Sequence, residues 1–159
     1  MILQKNTANR LGIFVFYDKD GIADEYNFYF IEELKKQVSR LLVICNGDVE
    51  EEAGKRFSGI ADEVMMRGNE GFDITAYHLG LKKYGYNRDG KFDEVIICNS
   101  TMFGPVYPFR EMFEKMAVRD LDFWGITNFH EVPFDPFGTV KYGMLPNMCS
   151  RSLWYSASR

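Results

Sequence analysis

Asn69, Gly71 and Asp73 sit in a polar, glycine-bearing turn, Arg67-Gly68-Asn69-Glu70-Gly71-Phe72-Asp73, that follows the apolar run Val64-Met65-Met66 and opens into a helical pattern. A turn of this kind suits phosphate: a helix start offers backbone N–H groups without intrahelical acceptors, and glycine lets a ligand approach the backbone closely. Asn69 brings an amide donor and acceptor, and Asp73 a carboxylate able to grip a ribose or sugar hydroxyl. Taken alone, Asp73 also reads as a helix N-cap and Gly71 as an ordinary turn residue.

A second junction of the same kind follows one unit later, where Val95-Ile96-Ile97-Cys98 gives way to Asn99-Ser100-Thr101. Asn99 and Ser100 offer uncharged oxygen ligands. A hard cation such as Mg²⁺ or Mn²⁺ normally takes at least one carboxylate, so either another acid serves it or no metal binds. Tyr17-Asp18 ends an earlier apolar run and is placed to meet the base and ribose of a nucleotide, or to be a solvated turn. Together these residues suggest a nucleotide-sugar site. His130 and Glu131 follow a later run where a base could lie, but a lone histidine in a loop is ordinarily solvated, and no catalytic residue is assigned.

Composition narrows the field of functions. The 159 residues suffice for one domain with its own core, and 46% hydrophobic with 16% aromatic content excludes a disordered chain. The formal charge is −4, from 19 basic and 23 acidic residues with no Lys/Arg-rich run, which argues against a nucleic-acid partner. Cys45, Cys98 and Cys149 show no CxxC spacing and read as buried, reduced thiols. The two histidines, His78 and His130, give little material for a zinc site or a histidine-based triad. With no targeting segment or membrane-length apolar run in view, the expected location is the cytoplasm, including the inner face of the membrane.

The elements that must hold these residues alternate between apolar runs and helical patterns, the signature of βαβ units and a mainly parallel sheet of about five strands flanked by helices. Expected strands are 11–16, 41–45, 63–66, 94–98 and 122–127. Asp24 is placed to cap a helix carrying Phe30, Leu34 and Val38; a second helix runs from Asp73 to Tyr84 with Ile74, Tyr77, Leu81 and Tyr84 on one face. Phe109, Met112, Phe113, Met116 and Ala117 form the clearest helical stripe, led by Pro108. Between Asp48 and Asp62 at most a brief helix is expected. After residue 127 the pattern decays into turn residues.

Five blocks in order resemble the rhamnan synthesis protein F family, glycosyltransferase-like bacterial proteins of cell-wall and surface polysaccharide assembly. They are Ile13-Phe14-Val15-Phe16-Tyr17-Asp18 with Asp20-Gly21-Ile22, Val43-Ile44-Cys45-Asn46-Gly47, Arg67 to Asp73, Asn99 to Pro105, and Asp122-Phe123-Trp124-Gly125. The resemblance runs from about Arg10 to Thr127. It implies a Rossmann-like fold of the A-type glycosyltransferase class and a nucleotide-diphosphate-sugar donor with a deoxysugar such as rhamnose, dTDP-rhamnose first among them. The partners it implies are that donor and a glycan or lipid-linked acceptor, with homo-oligomers a further expectation. Family members often carry an aspartate where this chain has Ser100, so the usual acidic metal motif is absent.

The last stretch, Pro146 to Arg159, departs from the family pattern. One codon set compatible with it, read from the last base of the proline codon, gives Glu-Tyr-Val-Gln-Ser-Phe-Phe-Met-Val-Phe-Arg-Lys-Ser, the block that the family carries next. The expectation is a nucleotide-sugar-binding domain over 1–145 and a frameshifted, non-native tail over 146–159, truncating the acceptor-binding half. The gene's nucleotide sequence tests this directly.

Overall fold

The computed structural model describes residues 8–84 and 92–126, together with short pieces at 128–129, 133–134, 138, 148–149 and 153–155. Four parallel strands form its heart: β1 (Arg10–Tyr17), β2 (Arg40–Asn46), β3 (Glu63–Arg67) and β4 (Glu94–Asn99), in the order β3-β2-β1-β4. All residues of β1 except the last, and all of β2 except the first, are buried, as strands covered by helices on both faces must be.

Helices α1 (Glu25–Lys35), α2 (Glu51–Ile60), α3 (Phe72–Tyr84) and α4 (Phe109–Ala117) supply the cover. One face of the sheet carries Phe14, Phe16, Val43 and Cys45 against Phe28, Phe30 and Phe57 of α1 and α2 and Phe109 and Phe113 of α4. The other carries Leu11, Ile13, Val15, Leu42 and Ile44 against Ala76 and Tyr77 of α3. Successive side chains in a strand point to opposite faces, so this division follows from parity along each run. Burial holds the Cys45 thiol at about 12 and pushes that of Cys98 up as well, in keeping with inert, reduced cysteines.

Several expectations change. The segment after Asp48 makes a ten-residue helix, α2, because Ala53 and Phe57 lie one turn apart and are buried while Glu51 and Glu52 suit its positive end. Helix α1 stops at Lys35, so Val38 is buried from the following loop rather than from the helix, and Asp24 stands at the N-cap without a side-chain capping bond. Helix α3 begins at Phe72, which places Asp73 inside the first turn rather than at the cap. Its buried face is Ala76, Tyr77 and Gly80, whereas Ile74 is 76% exposed.

The strand expected over 122–127 is β5 (Phe123–Gly125), with Trp124 buried and Phe123 exposed. It does not adjoin β4. A short antiparallel strand, β8 (Leu153–Tyr155), lies between them and makes a six-stranded sheet in the order β3-β2-β1-β4-β8-β5. This strand comes from the stretch set apart as a non-native tail. A separate two-stranded pair joins β6 (Asn128–Phe129) to β7 (Met148–Cys149). Expectations for His130, Glu131 and Pro146 fall outside the described residues.

Candidate functional site

Strand order reverses between β1 and β4: the chain moves outward from β1 through β2 to β3, then returns to lay β4 on the other side of β1. In open α/β sheets, ligands bind in the crevice at the carboxyl ends of the strands flanking such a reversal. Those ends carry Tyr17-Asp18 and Asn99-Ser100, two of the pairs singled out by sequence.

Helix α3 brings the third group to the same rim. Although β3 is the edge strand, the chain doubles back over β2 and β1, and Asn99 Nδ2 donates to Asp73 Oδ2 at 2.7 Å. Asn99 Oδ1 meanwhile accepts from the Thr101 hydroxyl at 2.7 Å and from its backbone N–H at 3.4 Å. Both ends of the amide are therefore engaged, and its orientation is set by its neighbours.

The turn that starts α3 has an unusual backbone. Gly71 lies at φ +70° and the next residue, Phe72, at φ +52°, a conformation that costs a non-glycine residue about 1–3 kcal/mol. The Phe72 ring is exposed. Asn69 accepts from the Phe72 N–H through its backbone carbonyl at 3.1 Å. Among the described residues, the backbone N–H groups of Asp73 and Ile74 have no acceptor, as expected of a helix start.

Asp18 and Ser100 are more committed to structure. Asp18 Oδ1 accepts the backbone N–H groups of Asp20 at 2.9 Å and Ile22 at 3.2 Å, and these bonds hold its carboxyl below the usual carboxylate range. The Ser100 hydroxyl bridges the backbone N–H and carbonyl of Tyr17, at 3.3 and 3.4 Å, extending the pairing of β1 with β4 past the end of the ladder. The Tyr26 hydroxyl donates to the Ser100 carbonyl at 3.0 Å. Tyr17 itself is 46% exposed, its ring edge about a van der Waals contact from where a Cβ on Gly47 would stand.

Two residues that sequence reasoning passed over complete the cluster. Register aligns Tyr17 with Asn46 and Asn46 with Arg67, one row across the carboxyl ends of β1, β2 and β3. Asn99 pairs with Val15, two residues before Tyr17, so all four side chains share the face covered by α3. Arg67 Nη1 donates to Asn46 Oδ1 at 2.6 Å, and the same guanidinium reaches the carbonyls of Glu70 and, at 3.5 Å, Phe72. The available signal was a polar residue closing each apolar run.

Tyr77, one turn into α3 from Asp73, has its hydroxyl buried without a partner among the described residues, and burial followed by the nearby Cys98 and Asp73 raises its pKa. For a hard cation the donor set is thin. No group of three or more His, Cys, Asp or Glu is placed to hold a metal ion among the described residues, and Asp73 Oδ2 is already satisfied by an amide. These residues do not form a cation cage. An open apolar groove of about 440 Å³, lined by Phe30, Met102, Pro105, Phe109 and Met112 among others, shares no residue with the Asp73–Asn99 cluster.

No curated protein matches the chain. Residues 41–148, about two thirds of it, match the family described as rhamnan synthesis protein F, a span that holds Asn46, Arg67, Gly71, Asp73, Asn99 and Ser100 but not Tyr17 or Asp18. On that match the chain belongs to the rhamnan synthesis protein F family, which places it in the synthesis of rhamnan polysaccharide.

Proposed function

We propose that this chain is a donor-binding domain of a glycosyltransferase, a Rossmann-like unit of the A-type class that takes a nucleoside-diphosphate deoxysugar, dTDP-rhamnose being the leading candidate. The observation that carries the reading is the Asp73–Asn99 hydrogen bond, which gathers the start of α3 and the end of β4 at the reversal of strand order. In this reading the unpaired amides of Asp73 and Ile74 face the phosphates, the Asp73 carboxylate takes a ribose or sugar hydroxyl, and the exposed Tyr17 ring offers a face to the base. The acceptor would be a glycan or a lipid-linked glycan. Among the described residues no helix is long and apolar enough to cross a membrane.

A second reading, a binding or scaffold domain without turnover, is favoured by one set of contacts. Asp18, Asn99 and Ser100 use their polar atoms on the chain itself. Calorimetric titration with dTDP-rhamnose, with and without Mg²⁺ or Mn²⁺, tests both. Saturable binding that disappears in Asp73→Ala is expected; binding with no transfer to any rhamnan acceptor supports the scaffold reading, and absence of binding by the wild type removes the donor-site reading.

A further inference from the structure

Two polar side chains on the α3 face, Asn46 buried and Arg67 half-buried, carry donors that the described chain does not satisfy. Arg67 keeps only 12% of its side chain exposed, yet every hydrogen bond it makes is to a neutral oxygen, on Asn46, Glu70 and Phe72. The one carboxylate within ion-pair range among the described residues is that of Glu70, 4.0 Å away and 87% exposed. A guanidinium withdrawn from water needs a close counter-charge, and a solvated carboxylate at that distance compensates it poorly. Its Nε–H and one of its Nη2 N–H groups have no acceptor among the described residues.

Asn46, fully buried, supplies the independent observation. Its Oδ1 is held by Arg67, which fixes the amide, and its Nδ2 is left with no partner. A buried donor in a native protein ordinarily has an acceptor, and here the described chain supplies none. Asn46 and Arg67 stand in register on the face under α3, and the Arg67 guanidinium spans from Asn46 to the Phe72 carbonyl, so their open donors lie beside the unpaired amides at the start of that helix. All of these groups are donors, and their charge is that of the guanidinium; of the two carboxylates nearby, Asp73 is held by the Asn99 amide and Glu70 is exposed.

We propose that Arg67 and Asn46 form an anion clamp for a diphosphate, with Glu70 the exposed counter-ion that swings away when the anion arrives. That the anion is the diphosphate of a nucleotide rests on the donor-site reading; that an anion binds rests on the guanidinium and its surroundings alone. Arg67 is a binding residue here, since its fork suits two phosphate oxygens at once.

The test is titration of the whole chain with inorganic pyrophosphate and, separately, with dTDP, at low salt, for wild type, Arg67→Gln, Arg67→Lys and Glu70→Gln. Arg67→Gln should weaken both ligands by about tenfold or more, with Arg67→Lys between it and wild type. Glu70→Gln, which alters only an exposed side chain, should tighten both by about two- to fivefold. If Arg67→Gln fails to fold, the Glu70→Gln result decides. Wild type that binds dTDP while Arg67→Gln and Glu70→Gln match it overturns the clamp and leaves the donor reading standing. Wild type that binds pyrophosphate through Arg67 but ignores dTDP sustains the clamp and removes the nucleotide. Binding of neither overturns both.

Discussion

Asn99 and Asp73, 26 residues apart, join through a single 2.7 Å hydrogen bond, and it is this bond that turns two separate strand-to-helix junctions into one rim. The path between them runs along α3, which packs over β1 and β2, so that its first turn overhangs the end of β4. Three inter-strand spacings, about 14 Å, separate β3 from β4 in the sheet, a gap that strand ends alone do not close.

Replacing Asn99 by Asp sets a second carboxylate against Asp73 in place of the amide. Like charges at hydrogen-bond distance disfavour joint ionisation, so Asn99→Asp should lower the melting temperature at neutral pH and regain much of the loss in acid, when one carboxyl takes a proton. Mn²⁺ should also recover it, since the pair then offers charged oxygens. Thermal melts of Asn99→Asp across pH, with and without Mn²⁺, check this; a variant as stable as wild type and indifferent to both would show that the two groups do not face one another.

At the opposite end of the sheet Glu94 holds β1, β4 and β5 together. One carboxylate oxygen accepts from Arg10 Nε at 2.5 Å and the other from Trp124 Nε1 at 3.0 Å, with both charged side chains almost wholly buried. Arg10 also lies 4.7 Å from the centre of the Phe113 ring. Glu94→Gln leaves that guanidinium uncompensated and is expected to cost about 3–5 kcal/mol, read from urea unfolding. The double replacement Arg10→Met with Glu94→Gln should cost less than the single one.

Gly80 is where α3 touches the sheet. A Cβ there would lie 3.0 Å from Ile13 Cδ1 and 3.1 Å from Ile13 Cγ2, tighter than ordinary contact. Alanine gains about 1 kcal/mol of helix propensity over glycine, while overpacking a tight core costs about 1–3 kcal/mol, so Gly80→Ala should be net destabilising. A raised melting temperature would mean that Ile13 moves aside freely.

Glu63 links the start of β3 to the end of α3, accepting from Lys83 at 2.6 Å and from the Tyr84 hydroxyl at 2.7 Å. Those hydrogen bonds, Lys83 first, hold its carboxyl below the ordinary 4.5. A depressed folded-state pKa stabilises above the unfolded value, and that stability is lost as pH falls through the folded one. The stability gap between wild type and Glu63→Gln should therefore be full at neutral pH and shrink below pH 4.5, measured by urea midpoints. A gap unchanged in acid would assign the effect to packing.

Alternation of apolar runs with helical stripes was enough to read β1 to β4, α3 and α4 from sequence, because buried parallel strands and amphipathic helices each impose a period on the chain. Helix α2 escaped because only Ala53 and Phe57 of its ten residues are buried, too sparse a stripe to stand out. On α3 the expected Tyr77, Leu81 and Tyr84 do pack on the core, and only Ile74 departs from the expected face. Ala76 and Gly80 join Tyr77 in the contact with the sheet, and their small size marks close approach rather than hydrophobicity, which left them without a signal in the sequence.

The order of strands lies beyond any local pattern, since pairing partners are chosen by long-range packing; so the placement of β8 between β4 and β5 had no signal. Residue types at strand ends were legible: Tyr17-Asp18, Asn69 to Asp73 and Asn99-Ser100 all reach one rim. What each does there was settled by neighbours. Asp18 and Ser100 spend their polar atoms on turn and ladder, while Asn46 and Arg67, unremarkable along the chain, become a row only when β2 and β3 pair in register. A sequence lists hydrogen-bonding groups, but which of them remain unsatisfied depends on partners brought from far along the chain, and that the tertiary structure alone decides.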